Sequence, residues 1–232
     1  MSLAISQIFQ QASAQTDQPL VGYVFDNPIH YIVLKRKDNK LNLEFFAELT
    51  AVLDKIEATK GPGVVVTIGT GNKHFSTGFD MEKWMEDTDR YYLPMVNSFP
   101  PIMDRLIRLQ LPSMCVFNGN AMAGGFFFGV CHDFRIMTTQ HGRLCCNELL
   151  FERPLNRALM ASLKYKLGPS AVFKLFIADM MLPKEGLKHG IIDNVYKDEA
   201  DLTAQIHGFA KRFAAMGVHR LAIKINKENQ FR

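Results

Sequence analysis

An α/β fold follows from three features of the sequence. Val64-Val65-Val66-Thr67-Ile68 is a continuous β-branched run bounded by glycines, an apolar-faced helical pattern precedes it, and strand signals early in the chain give way to helical signals late. A short run of that kind reads as a strand buried on both faces of a sheet, as in α/β proteins. At 232 residues, 47% hydrophobic and 22% charged, the chain suits one compact domain with a sizeable core.

In chain order, Leu20–Phe25 and Tyr31–Arg36 read as strands around a turn at Asp26-Asn27-Pro28. Lys37-Asp38-Asn39-Lys40 is a charged loop, and Asn42 is placed to cap a helix. Leu43, Phe46, Leu49, Leu53 and Ile56 recur every three or four residues, one apolar helical face that Gly61-Pro62-Gly63 ends. The Val64 strand follows, then a glycine-bearing loop from Gly69 to Gly78 at its carboxyl end, where open α/β sheets keep their sites. Residues 89–110 read as helical with a break at Pro100-Pro101. The pattern then repeats: a strand over Met114–Phe117, a turn at Asn118-Gly119, and an apolar helix over Ala123–Cys131. Phe134–Thr138 and Leu144–Cys146 are further short strands, and from Leu155 the signal is helical, broken at Gly168-Pro169 and Pro183. The expected division is a polar leader over 1–18, an α/β core over 19–195, and helices over 196–232 that belong to the same domain.

Composition narrows the function classes. The net charge of +4 is spread along the chain, without the clustered basic footprint of a nucleic-acid binder, although a slight excess suits a substrate carrying phosphates. Cys115, Cys131, Cys145 and Cys146 form no CxxC pattern and lie in apolar runs, so they read as buried small hydrophobes in a reducing compartment. No apolar run reaches the length of a membrane span. His74, His132 and His141 have no metal-ligand spacing, and there is neither a P-loop nor a GxGxxG.

Three segments could carry chemistry. In Phe75-Ser76-Thr77-Gly78-Phe79-Asp80, a glycine after a strand turns the backbone sharply and leaves amide N–H groups unpaired, with Asp80 placed to cap a helix containing Trp84. Ser76 is not in a GxSxG and has no adjacent base, so it is no nucleophile candidate. In Asn118 through Phe128, Gly124-Gly125 opens an apolar helix, which presents N–H groups to developing negative charge or simply packs a helix closely on a strand. In Cys145-Cys146-Asn147-Glu148-Leu149-Leu150-Phe151, the glutamate is alone in an apolar run. Such a carboxyl is paired, for instance with Arg153 or Arg157, or protonated, or faces a pocket, where its raised pKa makes it a proton carrier near neutrality. The eighteen phenylalanines suit a lipid-chain tunnel or ordinary packing.

Together these segments resemble the enoyl-CoA hydratase/isomerase, or crotonase, family, and most closely the short plant type of Δ3,Δ2-enoyl-CoA isomerase. Phe75–Asp80 is similar to the family's F-S-x-G-x-D, and His132-Asp133-Phe134-Arg135-Ile136 to the isomerases' [CH]-D-Y-R-I. Asn147-Glu148 and Lys184 through Asp193 also match, in order, over roughly residues 31–227. The resemblance implies a spiral of ββα units with a helical C-terminal region. It implies Glu148 as the catalytic residue, the Phe79 and Gly124 N–H groups as an oxyanion hole, and Ser76, Thr77, Gly78, Asp80, Met81, Gly125 and Phe127 around an acyl-CoA. Phe127 stands where hydratases carry their first glutamate, which leaves one carboxylate and favours double-bond isomerisation in fatty-acid β-oxidation over water addition. It further implies no metal or redox cofactor, coenzyme A arriving with the substrate, and a homotrimer or hexamer with the C-terminal helices at its contacts.

The implied compartment is the mitochondrion or the peroxisome, the first favoured because Asn229-Gln230-Phe231-Arg232 is not the peroxisomal tripeptide. The N-terminal stretch lacks acidic residues, as transit peptides do, but also arginine. Glu152, where the isomerases have glycine, and Arg153-Pro154 after it would alter or obstruct an acyl pocket; Asn156 replaces a frequent proline. They motivate the competing reading, a catalytically inactive crotonase-fold subunit of a larger assembly such as a mitochondrial one.

Overall fold

The β-branched run forms a central strand, β3 (Val64–Gly69), of a six-stranded sheet in the computed structural model, which describes residues 3–230. The sheet order is β1 (Val21–Asp26), β2 (Ile29–Leu34), β3, β5 (Ser113–Phe117), β7 (Phe134–Thr138), β9 (Asn194–Tyr196). Only β1–β2 is antiparallel; the turn between them holds a cis Asn27–Pro28 bond. A second, parallel sheet joins β4 (His74–Ser76), β6 (Asn120–Met122) and β8 (Leu144–Cys145). After each of β3, β5 and β7 the chain adds a strand to this small sheet and then turns helical, the expected ββα spiral.

The β3 side chains explain why the run lacks alternation. Val65 packs into the core shared with α2 (Leu43–Ala58) and α4 (Thr88–Ile107), while Val64, Val66 and Ile68 pack on the opposite face against α1 (Ile5–Ser13) and α9 (Glu199–Phe213). Both faces are dry, so the strand tolerates no polar alternation. Asn42 caps α2 as its position suggests, its side chain accepting from Phe45 N–H at 2.9 Å.

Two expectations are corrected. Residues 3–18 of the segment read as a polar leader carry α1, whose Ile5, Ile8 and Ala12 are buried at helical spacing. Gln15 then holds the Tyr23 backbone on both its N–H (3.0 Å) and C=O (2.6 Å). Met1 and Ser2 of that leader, and Phe231 and Arg232 of the C-terminal tripeptide, lie outside the described residues. The break at Pro100-Pro101 is absent as well: α4 runs through Pro94, Pro100 and Pro101. Phe99, Ile102, Met103 and Leu106 are buried in one core with α2, and that packing outweighs the missing backbone donors.

The helical C-terminal third comprises α6 (Arg157–Lys166), α7 (Pro169–Phe176), α8 (Pro183–Lys188), α9 and α10 (Arg220–Asn229). α10 buries no residue fully and is tied down by charge instead. Lys227 donates to Asp133 at 2.6 Å and to the Leu109 and Leu111 carbonyls. Asp133 also accepts from Ser113 N–H and Oγ–H and faces Lys166 at 3.6 Å. Burial alone would raise the Asp133 pKa, but Lys227 and Lys166 hold it below 3.8. Asp133→Asn strands two largely buried ammonium groups and is expected to cost about 2–3 kcal/mol, read as a lower midpoint in urea. Because the folded pKa is depressed, this contribution is present above pH 3.8 and lost on acidification. The gap between variant and parent therefore closes at low pH.

Candidate active site

The Phe75–Asp80 segment leaves β4 and is held from below. Ser76 Oγ–H donates to the Asn39 carbonyl (2.7 Å) and accepts from Gly78 N–H (3.2 Å), while Asn39 Nδ2 donates to the Phe75 carbonyl (2.8 Å). Phe79 lies beside Leu41 in a parallel bridge: Leu41 N–H donates to Gly78 C=O, and Asp80 N–H donates to Leu41 C=O. That pattern uses the groups on either side of Phe79 and turns its own N–H the other way. Among the described residues, Phe79 N–H donates no hydrogen bond. Asp80 caps α3 (Met81–Glu86) and pairs with Lys40 at 3.8 Å. Ser76, Gly78 and Asp80 thus shape the loop and do not line the cavity that holds Glu148, although Asp80 borders a separate surface pocket.

Facing this loop is the start of α5 (Gly124–Val130). Ala123 N–H donates to Cys145 C=O, and Ala123 adopts φ 47°, ψ −128°, a conformation costly for a residue with a side chain. The chain then enters the helix with Gly124 N–H as a first-turn donor that has no acceptor among the described residues. The two segments are in contact: a β-carbon on Gly78, which has φ +89°, would stand 3.2 Å from the Gly124 nitrogen. One on Gly125 would stand 2.5 Å from Ser76 Cβ and 2.7 Å from the Ser76 carbonyl, so this crossing admits only glycine. Phe127 is fully buried and does not line the cavity.

Glu148 sits in a single 3₁₀ turn, Asn147–Phe151, closed by Glu152 in the left-handed conformation (φ 56°, ψ 30°). The left-handed φ accounts for glycine at this position in the isomerases' pattern. Glu148 Oε2 and Asn147 Oδ1 are buried without a hydrogen-bond partner. Desolvation pushes the Glu148 carboxyl up to about 7. Among the described residues Glu148 makes no ion pair, so the anticipated pairing with Arg153 or Arg157 is not formed. Arg153 instead lays its guanidinium over Trp84 (4.8 Å) and Tyr92 (5.8 Å).

These parts enclose a cavity of about 260 Å³. Of the residues singled out from the sequence, Thr77, Phe79, Met81 and Glu148 line it, whereas Glu152 points to solvent. Arg153, Pro154 and Asn156, the positions that depart from the isomerases' pattern, line it as well, and Trp84, Tyr92, Val96, Phe99, Pro100, Phe151 and Leu159 supply most of the remaining wall. Tyr92, Val96 and Phe99 recur at helical spacing on α4, a signal present in the sequence but indistinguishable there from a core-facing stripe. Most of the phenylalanines pack the core, among them Phe45, Phe75, Phe117, Phe126 and Phe128. The four cysteines are free and buried. Among the described residues no cluster of His, Cys, Asp or Glu could hold a metal, and no helix is long and apolar enough to cross a membrane.

Residues 25–229 match the family model described as enoyl-CoA hydratase/isomerase. The chain belongs to the enoyl-CoA hydratase/isomerase family. Enoyl-CoA delta isomerase 3 of Arabidopsis thaliana is 27% identical over 199 residues, 82% of this chain and 80% of that protein. The human mitochondrial enoyl-CoA delta isomerase 1 is 26% identical, covering 76% of this chain and 59% of its own length. An enoyl-CoA hydratase/isomerase family protein from Pseudomonas syringae superposes with a TM-score of 0.82 at 20% identity, over 91% of this chain and 92% of that one. The fold is the crotonase fold. Within it, this family member offers a half-buried glutamate with a raised pKa, two amides that donate no hydrogen bond among the described residues and an apolar wall.

Proposed function

We propose that this chain is a Δ3,Δ2-enoyl-CoA isomerase of fatty-acid oxidation. The observation that carries the reading is Glu148: a carboxyl whose Oε2 is buried without a hydrogen-bond partner and whose pKa desolvation raises to about 7, in an apolar cavity lined also by Phe79 and by Ala123, the residue before Gly124. As carboxylate, Glu148 takes a proton from C2 of a 3-enoyl-CoA. The C2–H electron pair moves into the thioester, and the resulting oxyanion is stabilised by the N–H groups of Phe79 and Gly124. The same carboxylic acid then protonates C4, so the double bond moves from C3–C4 to C2–C3 and the enzyme is restored. One proton carrier serves both steps, and the chemistry calls for no metal or redox cofactor, coenzyme A being part of the substrate.

A hydratase needs a second polar group to hold water, and Phe127 is apolar and buried where the family's hydratases carry a glutamate. The inactive-subunit reading requires a covered Glu148; against it stands Arg153, which stacks on Trp84 and Tyr92 instead. The names of relatives, which include peroxisomal and mitochondrial delta isomerases, support either organelle as the site of action. Assembly as a homotrimer or hexamer is part of the same proposal.

The test is conversion of 3-hexenoyl-CoA to the 2-enoyl product across pH. The base must be ionised in free enzyme, so kcat/KM is expected to rise tenfold per pH unit on the acid side and level off near pH 7. A profile that stays flat down to pH 5 would remove Glu148 as the base.

A further inference from the structure

Arg153 has no role in the chemistry above, yet it lines the same cavity as Glu148. It lies just beyond the turn that carries the base, its backbone N–H donating to the Glu148 carbonyl at 3.0 Å. Its guanidinium carbon lies over the rings of Trp84 (4.8 Å) and Tyr92 (5.8 Å), which are stacked on each other. Among the described residues it makes no ion pair, and Glu152 beside it turns to solvent through its left-handed backbone. A guanidinium held against aromatic rings and engaged in no ion pair retains N–H donors, and their fork matches the two oxygens of a carboxylate. The aromatic rings fix the group in one place, so little side-chain freedom is lost when an anion arrives.

We infer that Arg153 recognises a carboxylate borne by the acyl chain, so that the preferred substrates are monothioesters of short dicarboxylic acids rather than plain fatty acyl-CoAs. The inference rests on the isomerase reading for where the acyl chain lies: Glu148, Phe79 and Arg153 line one cavity, so an acyl chain placed at Glu148 shares that space with the exposed guanidinium of Arg153. A second group of cations, Arg36, Lys37 and Lys40, borders a separate surface pocket of about 230 Å³, but Asp38 and Asp80 line it too and Lys40 pairs with Glu82 at 2.8 Å. Binding to Arg153→Met is therefore what separates the coenzyme's phosphates from an acyl carboxylate.

The test compares binding of adipoyl-CoA and hexanoyl-CoA, which differ only in the distal carboxylate, to the parent protein, Arg153→Met and Arg153→Lys by calorimetry. The parent is expected to favour adipoyl-CoA by about 10–100-fold, the range of one charge-assisted pair. Arg153→Met should bring that ratio to near one, with Arg153→Lys between. A parent ratio near one overturns the inference. So does an equal weakening of both ligands by Arg153→Met, since the guanidinium then reads the coenzyme or props the cavity mouth. Turnover of 3-hexenoyl-CoA and 3-hexenedioyl-CoA separates the two claims. If neither is isomerised while the Arg153-dependent ratio persists, the proposed activity falls and the recognition stands; isomerisation without a diacid preference does the reverse.

Discussion

Glu148→Gln is expected to lower kcat for 3-hexenoyl-CoA isomerisation by about 10³–10⁴-fold, at the upper end for a positioned acid/base because the same group serves both proton steps. The amide keeps the shape of the side chain but can neither accept the C2 proton nor deliver one to C4. Saturated acyl-CoA should still bind the variant, since the cavity wall and both amides remain. Undiminished turnover would end the proposed mechanism. Stability provides an independent check. The folded pKa of Glu148, about 7, lies above its ordinary 4.5, so the native state holds a proton that the unfolded chain releases between those values. Below pH 4.5 burial of the neutral acid carries no ionisation penalty; as pH rises through 7 the native state must bury a charge. The glutamine variant is therefore expected to be more stable than the parent by about 1–3 kcal/mol at pH 8, with the advantage vanishing in acid. A variant equally stable at all pH values would mean that the carboxyl is well solvated.

Gly125→Ala is expected to lower kcat by about 10²-fold or more, the cost of losing one oriented oxyanion donor. Its new methyl would stand 2.5 Å from Ser76 Cβ and 2.7 Å from the Ser76 carbonyl. Backbone cannot yield as a side-chain tip would, so α5 and the Ser76 loop must part. The amides of Phe79 and Gly124 belong to those two elements and would separate with them. Some stability should go too, about 1–3 kcal/mol, as for other overpacked sites. Gly208→Ala is the control: nothing lies within 4 Å of the added carbon on α9. If Gly125→Ala retained full kcat while folded, the amide pair would not be an oxyanion hole.

Where local chemistry decides structure, the sequence was readable. Asn42 caps α2, Asp80 caps α3, and the Val64 run is a two-faced central strand. β4, β6 and β9 leave no strand signal in the sequence; each has three residues, too few to establish alternation, and each exists because a neighbouring strand supplies its ladder. α1 was hidden by its glutamines, since three apolar positions in a polar segment become a helix face only when a sheet lies beneath them.

The residue types that carry the proposed chemistry, the solitary Glu148 and the glycine-bearing turns at Gly78 and Gly124, were determined by the sequence alone. So was the absence of a second carboxylate at Phe127. Only tertiary structure decided that Glu148 would be left without an ion-pair partner among the described residues, that Arg153 would lie over Trp84 and Tyr92 instead of pairing with it, and that four α4 residues, Tyr92, Val96, Phe99 and Pro100, would line the cavity. The reason is physical. A cap, a strand or a tight turn depends on a few neighbouring residues, whereas desolvation and ion pairing depend on which distant elements meet, and no local pattern records that meeting.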